Sequence, residues 1–449
     1  MSIIELTSKG SLDNELLSHN LSSFANDFYF RNKNNYVKYD TIFYPEGKIN
    51  WGNTIRFYIE RKGDLLYGLY LVVKLPKLSI SNLNIYPKPN ENDPNNLYRI
   101  KYTDFIGNAL IKKVGLYING QLIEEQTGDY MQLYTDLYFS DNNRKKMLGL
   151  DDFINKPNLK IDSEYVYIPL KFWFCLDYYN PLPVLALQYS EIYIDVTFNE
   201  FNNCICILQY NLQKTKLFHS NLMHQEMPIE DSFLQANFYC LDSNDRILIS
   251  NKNYEILILQ SQLRSINLNM HTGTLNLDFN NIVKDILFFI QPINHKLYGE
   301  YFNFSARMTY LPVELYDTDI NLNLWELEPK KHLLVKARLL FNSNERIGWR
   351  DYKYFYFMQN HENYRTNIHS YIYMYSFATN PKITNIMGCN FSGIDNPQLQ
   401  IEIKPNVFFL NEESNIKYPV NNNYEFKCYA TNYNILVIKN GLGSLKYIN

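Results

Sequence analysis

Residues 165–198, YVYIPLKFWFCLDYYNPLPVLALQYSEIYIDVTF, constrain the fold of this chain more than any other stretch. Their last third alternates: Ile192, Ile194, Val196 and Phe198 fall on one side, and Tyr193, Asp195, Thr197 and Asn199 on the other. A period of two is the mark of a half-buried strand, because successive side chains point to opposite faces. Ahead of it, Pro181 and Pro183 cannot donate to a sheet ladder and mark a corner between strands. Before the corner stands the aromatic block Phe172-Trp173-Phe174-Cys175. These are architectural features, and none of them is catalytic chemistry.

The same pattern recurs along the chain. Ile55, Phe57 and Ile59 alternate with polar neighbours, and residues 65–76 (LLYGLYLVVKLP) read as a strand covered on both faces. Val114, Leu116 and Ile118 lead into Asn119-Gly120, which accepts the positive φ angles of a type I′ hairpin turn, and the chain returns through Gln121 to Glu124. Tyr130, Leu133, Tyr134, Leu137 and Tyr138 sit at helical spacing and predict one helix inserted between strands. Residues 200–232 lose alternation and read as a connection, after which Leu275, Leu277 and Phe279, residues 286–290 and 337–341, then Leu399, Ile401 and Ile403 resume it. Residues 77–100, 242–245 and 342–351 read as polar loops or turns, the last carrying Trp349. Aromatics make up 16% of the chain, with 39 Tyr and 28 Phe, which favours pleated surfaces. The expectation is an all-β protein of two sandwich-like halves with a few short inserted helices: an arm at 1–29, a first half at 30–212 and a second at 213–449.

Chemistry is harder to find. The net charge of −3 contains no run of like charges, so no basic patch for direct nucleic-acid binding is visible. Six cysteines in 449 residues are too sparse for a disulfide framework. The first residues carry no apolar signal core, and no run reaches the ~18 apolar residues of a membrane helix, so a soluble product made in a cytoplasm is expected. Phosphate-loop, nucleophile-elbow and zincin patterns are absent, and the late Gly441-Leu442-Gly443-Ser444 reads as a turn. Cys204 and Cys206 with His219 and His224 could be drawn as a zinc site, but the spacing fits no usual module and a strand with buried thiols is the simpler reading. Glu124 and Glu125 point to opposite faces of a strand, so they do not form a catalytic pair, and a solvated hairpin face is expected for them. No catalytic, cofactor-binding or metal-ligating residue is assigned, and no cofactor or small-molecule substrate is expected.

Several stretches in order resemble one family, the double jelly-roll major capsid proteins of nucleocytoplasmic large DNA viruses (iridovirus, phycodnavirus, mimivirus and marseillevirus type). Residues 4–17 look like its N-terminal Gly-x-x-Asp segment, and Gly63-Asp64-Leu65 through Pro76 look like its "GD…LP" strand. Residues 106–137 resemble its most recognisable block, with Asn119 where a Gly is common. Ile168-Pro169-Leu170 and Phe172-Trp173-Phe174 resemble "IPLPFWF", with Lys171 for a frequent Pro, and residues 185–189 resemble "ALQYHE", with Ser190 for a common His. Arg346, Arg350-Asp351 and Tyr354-Phe355, then Cys389-Asn390-Phe391-Ser392 with Ile394-Asp395-Asn396, and finally residues 429–441, are similar to the family's later blocks.

The resemblance implies two consecutive eight-stranded jelly rolls. It implies a structural role without enzymatic activity: homotrimers with a pseudo-hexagonal outline that tile an icosahedral shell. The implied partners are neighbouring capsomers, minor capsid and penton proteins, and proteins of an internal membrane. The implied location is the virion, after assembly in the host cytoplasm. Residues 141–163 and 295–330 would include loops of the capsomer crown. A poxvirus-like scaffold or minor capsid protein is the alternative within the family, and a jelly-roll carbohydrate-binding protein is the alternative outside it.

Overall fold

The computed structural model describes residues 36–447, apart from 85–89, 91, 94–95, 139–145, 150–155, 178–179, 212–213, 219–226, 307, 310, 313–331, 369, 380, 382–386 and 405–422. The expected arm at 1–29 lies outside the described residues, as do His219, His224 and much of the two expected crown loops.

Eight strands build the first half: β1 Tyr36–Phe43, β2 Thr54–Tyr58, β3 Leu65–Lys74, β4 Ile111–Ile118, β5 Gln121–Thr127, β6 Tyr165–Pro169, β7 Ile192–Phe198 and β8 Asp231–Leu241. They pair antiparallel in two sheets, β1-β8-β3-β6 and β2-β7-β4-β5. The second half repeats the plan with β9 Tyr254–Leu268, β10 Thr272–Asn276, β11 Ile282–Pro292, β12 Leu334–Phe341, β13 Asn344–Asp351, β14 Tyr373–Ser376, β15 Gln398–Ile403 and β16 Tyr424–Lys439. Its sheets run β9-β16-β11-β14 and β10-β15-β12-β13. Numbering the strands one to eight within each half gives the orders 1-8-3-6 and 2-7-4-5 both times. That shared order is the double Greek key of a jelly roll, so the chain is all-β with two consecutive eight-stranded jelly rolls.

Local chemistry explains the elements. Asn119 and Gly120 adopt φ of 52° and 76°, as the β4–β5 turn requires. The helix expected after β5 forms as α1, Gly128–Tyr138. Alternation in β7 places Ile194, Val196 and Phe198 in the core while Asp195 reaches outward to Arg56. Phe172, Trp173 and Phe174 are buried in the first half's core, which continues without a break into Tyr254, Ile256 and Ile258 of β9. A separate core fills the second jelly roll, with Phe288, Phe426 and Leu399 near its centre.

Several expectations shift. The boundary at 212/213 cuts the first jelly roll short, because β8 hydrogen-bonds both β1 and β3 along its length. Residues 165–198 therefore hold its sixth and seventh strands. The supposed connection holds two further strands, Ile205–Asn211 and Lys214–Phe218. Residues 242–245 are not a plain turn: the Asp242 carboxylate accepts from the N–H groups of Asn244 and Asp245 and caps α2, Ser243–Asn251. The polar run at 344–351 is strand β13, whose charged residues face outward and so mask the strand signal. Likewise Leu78, Ser79 and Ile80 within the expected 77–100 loop are buried.

Candidate functional site

Among the described residues no three His, Cys, Asp or Glu side chains gather to hold a metal ion. Cys204 and Cys206 are buried, and the Cys206 thiol donates to the Gly299 carbonyl at 2.9 Å. Burial raises the Cys206 thiol to about 12 and Cys204 further still, so neither is a ready nucleophile. No helix among the described residues is long and apolar enough to cross a membrane.

What the chain builds with care is the seam between its halves. It starts at α1. Gly128 opens the helix where a Cβ would lie 2.2 Å from the Asn108 carbonyl oxygen and 2.4 Å from that of Ile111, so only glycine lets the backbones meet. Tyr130, Leu133 and Leu137 then project onto the outer face of the second jelly roll's β11-β14-β16 sheet, against Leu287, Phe289, Met374 and Tyr429. The Thr127 and Tyr429 hydroxyls lie 2.6 Å apart. At the far end of the helix, Tyr138 and Tyr364 both donate to Asp285 Oδ2, at 3.2 and 2.9 Å.

Charge is buried beside this apolar contact. Lys427 Nζ sits 2.6 Å from Asp129 Oδ2 and 2.9 Å from Glu425 Oε1, and Lys296 Nζ lies 2.6 Å from Glu425 Oε2. Burial alone would raise both carboxyls, but Lys296 and Lys427 outweigh it and hold Asp129 and Glu425 below their ordinary range.

The edge strand β5 is closed by the second half as well. Gln260 Nε2 donates to the Ile123 carbonyl, and Ser261 Oγ donates to the Glu125 carbonyl at 2.9 Å. Side chains of β9 thereby satisfy edge carbonyls that an isolated jelly roll would leave to water. Glu124, expected on a solvated face, is buried instead. Its Oε1 accepts from Gln126 Nε2 at 2.6 Å. Burial raises this carboxyl to about 8, against the smaller pull of hydrogen bonds from Gln126 and the Ser261 backbone. Glu125 faces outward and pairs with Lys113 at 3.0 Å.

The C-terminal hairpin completes the seam. β17, Leu442–Leu445, pairs with β16 and brings Gly441 and Gly443 against the first half. The Tyr189 N–H donates to the Gly441 carbonyl at 3.0 Å, and the Gly443 N–H donates to Ser190 Oγ at 2.9 Å. The glycine-rich turn is thus a docking point for the 185–190 motif.

Two motif residues reveal roles that their spacing does not announce. Asp64 accepts from the Leu241 N–H at 2.7 Å and pairs with Arg246 of α2 at 3.1 Å, tying the closing strand to the linker helix. Gly63 lies where a Cβ would meet the Phe238 side chain at 2.4 Å. His332, which no motif marks, is boxed by Tyr352, Tyr356, Tyr371 and Tyr373, with ring centroids 4.3 to 5.8 Å away. These rings anchor the base of the helical segment after β13, Tyr354–Met358 and Asn360–Tyr364.

Comparison with known proteins gives the same picture over both halves. Residues 27–231 match the family described as major capsid protein N-terminus, and residues 245–444 match the large eukaryotic DNA virus major capsid protein family. The chain is 23% identical to a major capsid protein of Phaeocystis pouchetii virus, covering 90% of this chain and 91% of that one. It is 24% identical to the major capsid protein of Paramecium bursaria Chlorella virus 1, covering 90% and 89%. Among solved structures, PBCV-1 VP54, fitted into a reconstruction of the virophage Sputnik, superposes with a TM-score of 0.71 at 21% identity, over 93% of this chain and 98% of that one. The Faustovirus major capsid protein superposes with a TM-score of 0.67 at 12% identity, over 96% and 95%.

Proposed function

Because this chain belongs to the large eukaryotic DNA virus major capsid proteins, and is a structural, non-enzymatic component of the virion capsid, we propose that it builds the shell as homotrimers with a pseudo-hexagonal outline. The observation that carries this reading is the repetition of one jelly-roll plan twice in a single chain, with the two copies joined by a continuous apolar seam. Three such chains supply six similar blocks around an axis. A seam of this kind, apolar at its centre with its charges paired, has the character of an obligate interface.

Within this reading the first jelly roll closes with β8 at Leu241, α2 links the halves, and the second jelly roll starts at Tyr254. Residues 1–29 serve as an arm, and loops in 141–163 and 295–330 contribute to the crown. Neighbouring capsomers, minor capsid and penton proteins and internal-membrane proteins are the partners, met through more polar surfaces that let assembly errors anneal, with assembly in the host cytoplasm. No nucleic acid is contacted directly.

The test is the mass of the purified chain in size-exclusion chromatography with light scattering. Three times 53.4 kDa, about 160 kDa, is expected. A species of 53.4 kDa that persists at micromolar concentration would sink the trimer.

A further inference from the structure

The β10-β15-β12-β13 sheet of the second jelly roll turns its other face to solvent. Alternation sends Leu399, Ile401, Ala337 and Leu339 into the core. Their neighbours Gln400, Glu402, Lys336 and Arg338 therefore stand on the outer face, with Lys336 opposite Glu402 and Arg338 opposite Gln400. Trp349 of β13 lies among them. Its ring centroid is 5.0 Å from Lys336 Nζ and 4.8 Å from the Arg338 guanidinium carbon, and the residue is 40% exposed.

The polar groups around the ring hold one another in place. Lys336 pairs with Glu402 at 2.8 Å. Arg338 Nε donates to Gln400 Oε1 at 2.9 Å, and its Nη1 donates to Glu345 Oε1 at 3.1 Å. Gly348, next to the tryptophan, leaves room for that carboxylate, since a Cβ there would lie 3.2 Å from Glu345 Oε2. A guanidinium carries more N–H donors than these two bonds use, and each carboxylate can accept further hydrogen bonds. Side chains ordered in advance lose little freedom when a ligand arrives.

The corresponding face of the first jelly roll, on β2-β7-β4-β5, is closed. Tyr58, Tyr193 and Tyr117 pair across β2, β7 and β4, and Tyr117 stacks on Tyr193 at 4.8 Å. The Arg56 guanidinium covers the Tyr193 ring at 3.9 Å and spends Nε and Nη2 on the Asp195 carboxylate at 2.7 and 2.8 Å. Tyr193 is only 7% exposed. Ring, guanidinium and carboxylate satisfy each other there, whereas around Trp349 the same three kinds of group remain open to solvent.

We propose that the outer face around Trp349 binds a neutral pyranose unit of a glycan, stacked on the indole and hydrogen-bonded through its hydroxyls to Arg338, Glu345 and Glu402. A pyranose offers C–H groups on one face and a rim of hydroxyls that both donate and accept. An exposed indole suits the face, and guanidinium and carboxylate groups side by side suit the rim. Charge balance decides the ligand class. Lys336 and Arg338 each have a carboxylate of their own, so a sulfate, phosphate or sialic acid finds no spare positive charge, and a neutral sugar needs none. The site lies within one chain and does not depend on the trimer.

The experiment applies the full-length chain to an array of neutral, sialylated and sulfated glycans, then titrates the best neutral glycan against the parent, Trp349→Ala, Arg338→Gln and Trp349→Phe. Binding should be confined to neutral glycans. It should weaken about tenfold or more in Trp349→Ala and in Arg338→Gln, and Trp349→Phe, which keeps a ring, should retain most of it. These are surface positions, so circular dichroism and elution volume should match the parent's in all three variants. An array with no glycan bound, binding led by sulfated or sialylated glycans, or unchanged affinity in either folded Trp349→Ala or folded Arg338→Gln would overturn the assignment, and none of these outcomes bears on the mass of the oligomer.

Discussion

Asp129 at the start of α1 and Lys427 near the start of β16 are 298 residues apart and form a 2.6 Å ion pair in the seam between the two jelly rolls. Leaving a buried charge uncompensated costs about 3–5 kcal/mol, and Lys427 keeps Glu425 at 2.9 Å when Asp129 is removed, so the loss should fall below that range. Asp129→Ala should therefore unfold at clearly lower denaturant, and Asp129→Ala/Lys427→Met should recover part of the loss. Equal midpoints for the single and double variants would show that the pair is not coupled.

The same network sets an acid limit. Asp129 and Glu425 titrate below their ordinary range in the fold, so the unfolded chain binds more protons as the medium turns acidic. Their contribution is complete above the ordinary carboxylate values of 3.8 and 4.5 and is lost as pH falls through the depressed ones. Thermal melts from pH 6 downward should show stability falling below about pH 4.5, and Asp129→Asn should flatten that slope.

Glu124 works in the opposite direction. Its carboxyl is raised to about 8 from 4.5, so its contribution to stability is complete below 4.5 and is eroded as pH rises to about 8. A tenfold difference in proton affinity between folded and unfolded chain corresponds to about 1.4 kcal/mol. Glu124→Gln should stabilise the chain by a few kcal/mol at most at pH 8, and hardly at pH 4.5, in denaturant titrations. A gain that does not depend on pH would show that charge is not the cause.

Gly128 and Gly120 separate packing from backbone strain. At Gly128 a Cβ meets two carbonyl oxygens, so Gly128→Ala should prevent α1 from seating and cost several kcal/mol or the fold itself. At Gly120 a Cβ meets nothing within 4 Å, and only the positive φ of 76° opposes it. Gly120→Ala should cost about 1 kcal/mol. Similar losses at both sites, measured by chemical unfolding, would contradict the close approach at Gly128.

His332 should titrate low. Burial among tyrosines, with Lys404 adding repulsion, lowers its imidazole to about 4 from 6.5. Its contribution is complete above 6.5 and is lost as pH falls through about 4. The imidazole resonances followed by NMR should stay in the neutral form at pH 5.5, and a midpoint near 6.5 would refute the box.

Much of the jelly-roll plan is legible in the residues themselves. Alternation at Ile192–Phe198, the Asn119-Gly120 turn and the helical spacing from Tyr130 to Tyr138 are local signals, because each depends only on backbone geometry and on which side chains avoid water. Asn344–Asp351 escapes notice for the same reason: its outward residues are charged, and a polar strand carries no alternation to read. Exposure is less visible: Trp349 falls in a run that reads as a polar loop, and only the fold shows that Trp349, Phe357 and Met358 stand exposed.

The sequence by itself determined an all-β chain of two halves with one chief inserted helix, since strand period, turn chemistry and composition act over a few residues at a time. Only the tertiary structure decided where the first half ends, because β8 joins its sheet through partners 157 to 205 residues away in β3 and β1. It also decided that Glu124 is buried and not solvated, that Asp129 meets Lys427, and which apolar faces remain outside. Whether a face is solvent or seam depends on what lies across it, and in this chain that neighbour is the other jelly roll.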